Sequence, residues 1–249
     1  MDRLLKATRR VEARHFWFRG LRRFLLPLVA QAVGARPNAR ILDCGCGTGV
    51  NLPLFSRFGA VSAVDLNAYG VSLARSAGFT RTARATVARL PFRDGTFDVV
   101  ASIDVLYTLE EDDERRAVEE MYRVLRPGGG AIFNLAAMQI LHGDHSVLAR
   151  ERRRYDRRRV RKLLSGAGFR VERLTHTNAT LFPVVLAQRM LERAVGTSSL
   201  DRAAEKMRVP PAAVNELFAG LLALESIALR LVSLPFGSSL LCLARKPGS

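Results

Sequence analysis

The sequence is poor in cysteine, and this scarcity excludes two kinds of stabilisation. Three cysteines among 249 residues are too few for a disulfide framework, and two of them, Cys44 and Cys46, stand in one glycine-rich segment. No second Cys or His pair lies near them in the sequence to complete a metal site, so we expect no bound metal. We therefore expect free thiols in a reducing compartment, the cytoplasm.

Long apolar runs are also missing, and acidic residues are scarce. No run of 18 apolar residues occurs, which argues against a membrane-spanning helix, and residues 1–6 contain no apolar signal segment. Lys and Arg number 39 against 23 Asp and Glu, giving a net charge of +16. This balance suits an anionic membrane surface or nucleic acid, or reflects only an arginine-rich composition. The positive charge is most concentrated at residues 150–162. This segment forms either a solvated helix face or a contact with anionic lipid or an acidic substrate.

The most informative stretch is residues 39–49, ARILDCGCGTG. It predicts a buried strand at residues 40–42, a loop with alternate glycines, and a helix from about residue 50. Glycine is needed where the backbone takes positive φ or a ligand must approach closely. Asp65 follows about 20 residues later, at the end of the next apolar run, where a carboxylate binds ribose hydroxyls. The pattern predicts a nucleotide cradle, with a dinucleotide fold or a ligand-free turn as alternatives.

The loop Asp43-x-Gly-x-Gly-x-Gly resembles motif I of class I S-adenosylmethionine (SAM) methyltransferases, in particular bacterial members of the type 11 group. Residues 90–92 (LPF), 123–129 (RVLRPGG) and 166–174 resemble later segments of the same family. The resemblance implies SAM as cofactor and an α/β, Rossmann-like sheet of seven mostly parallel strands in the order 3-2-1-4-5-7-6. We predict an N-terminal helical lid (1–34), the SAM-binding core (35–176), a helical insertion before the last strand (177–237), and the last strand with its tail (238–249).

The resemblance also implies which residues bind the cofactor. They are Asp43, Gly45, Cys46, Gly47, Asp65, Leu66, Thr86, Val87, Asp104 and Val105. One of them departs from the family pattern, because Thr86 stands where an acid usually binds the adenine amino group. A threonine hydroxyl can still accept a hydrogen bond, or the contact can pass through the Val87 backbone.

A general base is needed if the methyl acceptor is a hydroxyl or ammonium group, and histidine has a suitable pKa. Relatives carry a His-Asp pair and then Arg-Arg-Tyr in the loop after strand 5, which makes His145 the first candidate, although Ser146 replaces the Asp. His142 is the second candidate, and His15 is the third. Tyr107 occupies a position where relatives carry Glu, so it either lines the substrate pocket or packs. Each histidine can equally be structural.

The aromatic segment around His15, residues 15–18 (HFWF), is either a lid over the ligand or a core cluster. The late apolar helices of residues 177–237 can form a cap over the site, a homodimer face or a surface resting on a membrane. These alternatives stay open.

We predict an enzyme that transfers a methyl group from SAM to an O or N nucleophile of a small or lipid-like molecule. An RNA or protein methyltransferase is a second interpretation, suggested by the charge. We expect no nucleic acid partner, because the sequence has neither an N-P-P-Y-type motif nor an added RNA-binding module. A third interpretation is a SAM-binding, membrane-associated protein without transferase activity.

Overall fold

The computed structural model describes residues 2–143, 146–147, 149–195 and 208–248. Its centre is a seven-stranded sheet in the order β3-β2-β1-β4-β5-β7-β6. Strand β7 is antiparallel to both β5 and β6, and the other pairings are parallel. The predicted strand order and fold class are therefore confirmed. The strands are β1 (Ala39–Cys44), β2 (Gly59–Asp65), β3 (Thr82–Arg84), β4 (Phe97–Ile103), β5 (Leu125–Ala136), β6 (Arg170–Thr177) and β7 (Ser239–Arg245).

Helices precede and connect these strands. In the described residues they are α1 (Asp2–Val11), α2 (Phe16–Val33), α3 (Leu52–Phe55), α4 (Ala68–Ser76), α5 (Glu111–Val124), α6 (Arg157–Gly166), α7 (Phe182–Val195) and α8 (Ala212–Ala228). Helix α3 is shorter than the helix expected from residue 50. Its four residues begin at a Pro-containing first turn, and the chain must reach the start of β2 only four residues after it ends.

Alternating residues of the central strands belong to two apolar clusters, one on each face of the sheet. Ile41 and Val99 join the cluster formed with α2, α3 and α8, whereas Leu42 and Val100 join the cluster formed with α5 and α6. Buried parallel strands need apolar residues on both faces, which explains the continuous apolar runs in the sequence. The sheet is thereby held rigidly, with its carboxyl edge free to carry a site.

The N-terminal helices and the late insertion pack on each other. A Cβ on Gly20 of α2 would overlap Leu222 of α8, so this pair of helices approaches closely. The buried Asn215 side chain accepts from the Phe16 backbone N–H (2.9 Å) and donates to the Arg14 carbonyl (3.0 Å). Residues distant in sequence therefore form one helical layer on one face of the sheet. The division of the chain into four segments remains a prediction.

Over the residues that the structure describes, no helix combines the length and apolar character needed to cross a bilayer. Those same residues contain no group of three or more His, Cys, Asp or Glu side chains placed to hold a metal ion.

Candidate active site

The glycine loop joins β1 to α3 at the carboxyl edge of the sheet. The Gly45 and Cys46 N–H groups donate to the Val64 carbonyl at 2.8 and 3.0 Å, which fixes the loop against the end of β2. Gly45 has φ +90° and Gly47 has φ +52°, a region that side chains disfavour. A Cβ on Gly45 would also overlap the Val105 side chain. The loop therefore requires glycine at position 45 for both its backbone and its surroundings.

Asp65 ends β2 and holds the same loop. Its Oδ2 accepts from the Gly47 N–H at 2.7 Å and its Oδ1 from the Asn67 N–H at 2.8 Å. Burial raises the pKa of Asp65, and these two hydrogen bonds oppose the rise. Each carboxylate oxygen has a second lone pair, so Asp65 can hold the loop and still accept from two ribose hydroxyls.

A cavity of about 630 Å³ opens above the loop. Helix α1 covers one side of it through Leu4, Leu5 and Thr8. The helix is tied to the loop because the buried Glu12, just after α1, accepts a hydrogen bond from the Thr48 hydroxyl. Nine of the ten predicted cofactor residues line this cavity: Gly45, Cys46, Gly47, Asp65, Leu66, Thr86, Val87, Asp104 and Val105.

These residues fit the expected SAM. The alternate glycines of the loop admit a close approach, and Asp65 offers acceptors to a ribose. Leu66, which is 66% exposed, offers an apolar surface to a base. Thr86 lines the cavity, but its Oγ1 already accepts from the Ala88 N–H at 3.2 Å. Its hydroxyl therefore has one lone pair fewer to offer an adenine amino group.

Asp43 is the predicted cofactor residue that lines neither cavity described here. It is 1% exposed and lies beneath the loop, and its Oδ1 has no hydrogen-bond partner. Burial, with a smaller contribution from the charge of Asp65, raises the pKa of Asp43 to about 7. Asp43 is thus buried in the protein interior and lines neither cavity.

A second cavity, of about 420 Å³, adjoins the first. One part is apolar and aromatic, with side chains from α2, α7 and α8, and another part holds charged residues. The two cavities share four lining residues, Trp17, Phe18, Asp104 and Tyr107. Ligands bound in the two cavities would therefore contact the same four residues at this junction.

The three histidines predicted as bases have different positions. His15 lines the smaller cavity, where its Nδ1 accepts from the Trp17 N–H at 3.2 Å and caps α2. Burial lowers the pKa of His15 to about 4. His142 lines neither cavity, and its backbone N–H donates to Gln139 at the end of a short 3₁₀ turn. His145, the first candidate, lies outside the described residues.

Both alternatives for Tyr107 apply in part, because it lines both cavities and also packs in the buried cluster formed with α5 and α6. Burial raises the pKa of the Tyr107 hydroxyl well above its ordinary value. At neutral pH it therefore stays protonated and can donate a hydrogen bond but cannot accept a proton as a phenolate.

The sequence did not single out a buried charged cluster at the junction. Asp104 Oδ1 accepts from Asn134 Nδ2 at 2.8 Å, and beside them Glu151 pairs with Arg154 at 2.8 Å. The Glu151 and Arg154 side chains are only 4% and 8% exposed, and both line the smaller cavity. Arg154 also donates to the Ala137 carbonyl at 2.9 Å. The available signal was Glu151, one of two acids within the arginine run.

The arginine run is only in part a solvated face. Arg153 and Arg159 pair with Glu114 at 3.1 and 2.7 Å, and the Tyr155 hydroxyl donates to the same carboxylate. Glu114 is buried, so removing one of its partners would strand a charge. The solvated-face interpretation is thus wrong for Arg153, which pairs with the buried Glu114 of α5, and for Arg154, which pairs with the buried Glu151 side chain of the same run. It fits the exposed Arg158.

Comparison with known proteins identifies the domain. Residues 42–133 match the family model described as a methyltransferase domain. The chain is 35% identical over 109 residues to cycloartenol-C-24-methyltransferase 1 of Oryza sativa subsp. japonica, covering 40% of this chain and 31% of that protein. It is 34% identical over 121 residues to the ubiquinone/menaquinone biosynthesis C-methyltransferase UbiE of Vibrio parahaemolyticus, covering 44% and 46%.

A third relative is the probable tRNA methyltransferase 9B of Bos taurus, 38% identical over 105 residues, covering 42% of this chain and 23% of that protein. The chain spans less than half the length of each of these three relatives.

Solved structures agree on the fold. A putative methyltransferase from Bacillus halodurans superposes with a TM-score of 0.59 at 20% identity, covering 89% of this chain and 98% of that one. The putative methyltransferase in a complex with the Haloferax volcanii Trm112 activator gives 0.63 at 19%, covering 98% and 95%. The [4+2]-cyclase SpnF gives 0.58 at 22%, covering 90% and 80%. Residues 42–133 thus form a methyltransferase domain, and the glycine loop, Asp65 and the strand order agree with the fold of class I SAM-dependent methyltransferases.

Proposed function

We propose that the protein transfers a methyl group from SAM to an oxygen or nitrogen nucleophile of a small or lipid-like molecule. The observation that carries this proposal is the junction of the two cavities at Trp17, Phe18, Asp104 and Tyr107. SAM, when bound in the larger cavity, supplies an already activated methyl group. The protein then contributes mainly by holding the acceptor in the smaller cavity in line with that group.

The lining of the smaller cavity favours an amphipathic acceptor. Phe16, Leu181 and Phe218 offer apolar contacts, whereas the Glu151–Arg154 and Arg189–Glu192 pairs offer polar ones. Because each pair is internally neutralised, the cavity does not select strongly for one sign of charge. A cavity of about 420 Å³ suits a small acceptor or the head of a longer one.

Calorimetry with SAM and S-adenosylhomocysteine tests whether the protein binds the proposed cofactor. We expect a single site with a dissociation constant on the order of micromolar. Turnover is then measured as S-adenosylhomocysteine released with a panel of phenols, amines and amphipathic lipids. The complete absence of SAM affinity in the wild-type protein would contradict the proposal.

An RNA acceptor is the second candidate. The net charge of +16 favours it, and so does the similarity to a probable tRNA methyltransferase. The neighbour complexed with the Trm112 activator shares the fold. Our expectation of no nucleic acid partner therefore stays open. A salt-sensitive mobility shift with tRNA, together with methyl incorporation into it, would favour RNA over a small acceptor.

A SAM-binding role without methyl transfer is the remaining candidate. The likeness to a structure titled a [4+2]-cyclase shows that this fold is not restricted to proteins named as methyltransferases. Binding of SAM without release of S-adenosylhomocysteine over the whole acceptor panel would favour this candidate. A cytoplasmic location stays a prediction in either case.

The outer face of α8 supports a peripheral contact with an anionic membrane. Its exposed apolar side chains continue into the following loop, where Leu231 is 88% exposed. Arg157 and Arg173 donate to carbonyls of that loop, at 2.7 Å to Leu234 and 3.5 Å to Val232. Basic and apolar groups thus lie side by side, as binding to anionic lipid requires. The apolar members are Val214, Leu217, Leu224, Ile227, Leu231, Val232 and Phe236.

Replacing both Leu224 and Leu231 by Gln is expected to reduce co-sedimentation with phosphatidylserine vesicles by at least about threefold, because two apolar anchors are lost. The matched control is Val147→Gln, at an exposed apolar residue outside this face. Sedimentation velocity without lipid distinguishes a homodimer. Wild-type dimers that the Leu224/Leu231 variant loses, with no vesicle binding by either protein, would assign the face to a second copy.

A further inference from the structure

We propose that Asp104 is the general base of the reaction, and hence that the acceptor atom carries a proton which is removed as it is methylated. This inference rests on the proposed methyl transfer. It assigns to Asp104 a role other than the cofactor binding that family resemblance implies. It also narrows the acceptors to hydroxyl, amine or other proton-bearing groups.

Asp104 occupies the place where a base would be needed. It follows β4 directly and lines both cavities at their junction. Its backbone has φ +61°, which is uncommon for a residue other than glycine. Such backbone strain persists only where surrounding structure enforces it, and it clusters at functional sites. Here Asn134 Nδ2 holds Asp104 Oδ1 at 2.8 Å, and the Asp104 N–H donates to the Asn134 carbonyl at 3.1 Å.

The surroundings of Asp104 favour a proton acceptor that works near neutrality. Burial raises the pKa of Asp104 to about 7, with a smaller contribution from the charge of Glu151, whereas Asn134 and Arg154 act against the rise. The same cavity is also lined by Tyr107 and His15 and by the charged side chains of Arg189, Glu192 and Arg208. A base is most effective when its pKa lies close to the working pH.

The other candidates at the smaller cavity are less suited. The pKa of His15 is lowered to about 4, and its Nδ1 is already bound by the Trp17 N–H. Tyr107 remains a protonated phenol. Glu151 and Glu192 are each paired with an arginine, Arg154 and Arg189 respectively, so their carboxylates already have a partner.

The proton and electron balance follows from this assignment. The acceptor atom forms a bond to the methyl carbon while the carbon–sulfur bond breaks and its electron pair stays on sulfur. The proton of the acceptor passes to the Asp104 carboxylate and later to water. No oxidant or further co-reactant is needed.

The test compares Asp104→Asn with the wild type. Asparagine has the same shape and can still accept from Asn134, but it cannot take a proton. With a phenol or amine that the wild type methylates, kcat should fall about 100-fold or more. The affinities for SAM and for S-adenosylhomocysteine should both change by less than about threefold, because a base contributes mainly in the transition state. Asp112→Asn, on the exposed start of α5, is the matched control.

The pH profile gives a readout that a structural role would not produce. Because the ionised carboxylate is the active form, wild-type turnover should rise with pH and level off above about 7. A nearby sulfonium favours ionisation and would move the midpoint downward. Asp104→Asn should lose this rise. An unchanged kcat and pH profile in Asp104→Asn would overturn the assignment, and so would methylation confined to acceptor atoms that carry no proton.

Two measurements that need no acceptor complete the test. Carbon-13 labelling of the aspartate carboxyl groups should reveal two resonances that titrate near pH 7, those of Asp43 and Asp104, and only the Asp104 resonance should disappear in Asp104→Asn. Titration of the Asp104 resonance at the ordinary aspartate value of about 3.9 would overturn the proposal. A loss of affinity for SAM but not for S-adenosylhomocysteine in Asp104→Asn would make Asp104 a counter-ion of the cofactor instead. If the wild type binds neither compound, the proposed function itself fails, whatever Asp104 does.

Discussion

Replacing Gly45 by alanine should reduce the affinity for SAM by at least about 100-fold. The new Cβ would overlap the Val105 side chain. Because both residues line the cofactor cavity, relieving this overlap must displace one of them and change the shape of the cavity. The backbone at φ +90° adds a further cost, roughly 1–2 kcal/mol for a residue with a side chain. Calorimetry with SAM measures the loss.

Two variants separate the causes of this effect. Gly220→Ala, on the surface of α8 with no atom within 4 Å of its new Cβ, makes the same chemical change where it should do no harm to binding. Adding Val105→Ala to Gly45→Ala removes the overlap but not the unfavourable φ, so binding should recover only in part. Undiminished SAM affinity in Gly45→Ala would show that the loop is not the cofactor cradle.

The second large effect is expected at Asp65. Alanine there removes the acceptor for the ribose hydroxyls and also frees the Gly47 and Asn67 N–H groups that shape the loop. Hydrogen bonds to a charged group contribute about 1.5–3 kcal/mol each, so SAM affinity should fall by about 100-fold or more. Asparagine retains an acceptor oxygen but not the charge, and its loss should be about tenfold. Calorimetry with SAM measures both variants.

Asp94→Asn is the control for loss of a carboxylate. Asp94 is exposed and pairs with Arg123 in the turn before β4, at the opposite edge of the sheet from the loop. Its replacement should leave SAM affinity unchanged and stability nearly so, because exposed ion pairs contribute little. Equal binding by the wild type and Asp65→Ala would remove Asp65 from the site.

The cofactor half of the site could be predicted because its signals are local. These signals are a strand, alternate glycines after it, and an acid about 20 residues later. The glycine loop and the acid follow two adjacent strands, so both lie at the carboxyl edge of the sheet. Asp43 shows the limit of this reasoning. A motif position identifies a residue that matters for the loop, but only packing decides whether its carboxylate faces a ligand or the protein interior.

The acceptor half could not be predicted to the same extent, because it is assembled from distant segments. In the sequence, Glu151 is an acid among many arginines, and only the fold shows that it lies beside Asp104. In the sequence, Asn215 is a polar residue in an apolar helix, and only the fold shows that it binds the start of α2. Histidines attract attention for their pKa, yet the environment of His15 moves its pKa away from neutrality, while burial moves that of Asp104 towards it.

Trp17 is the one tryptophan of the sequence and lines both cavities. Its indole is therefore a built-in optical reporter of the junction, and no label has to be introduced. Emission from a single fluorophore can follow the filling of either cavity, in either order, within one titration. The order in which cofactor and acceptor bind thus becomes measurable on the unmodified protein, even for acceptors that are bound but never methylated.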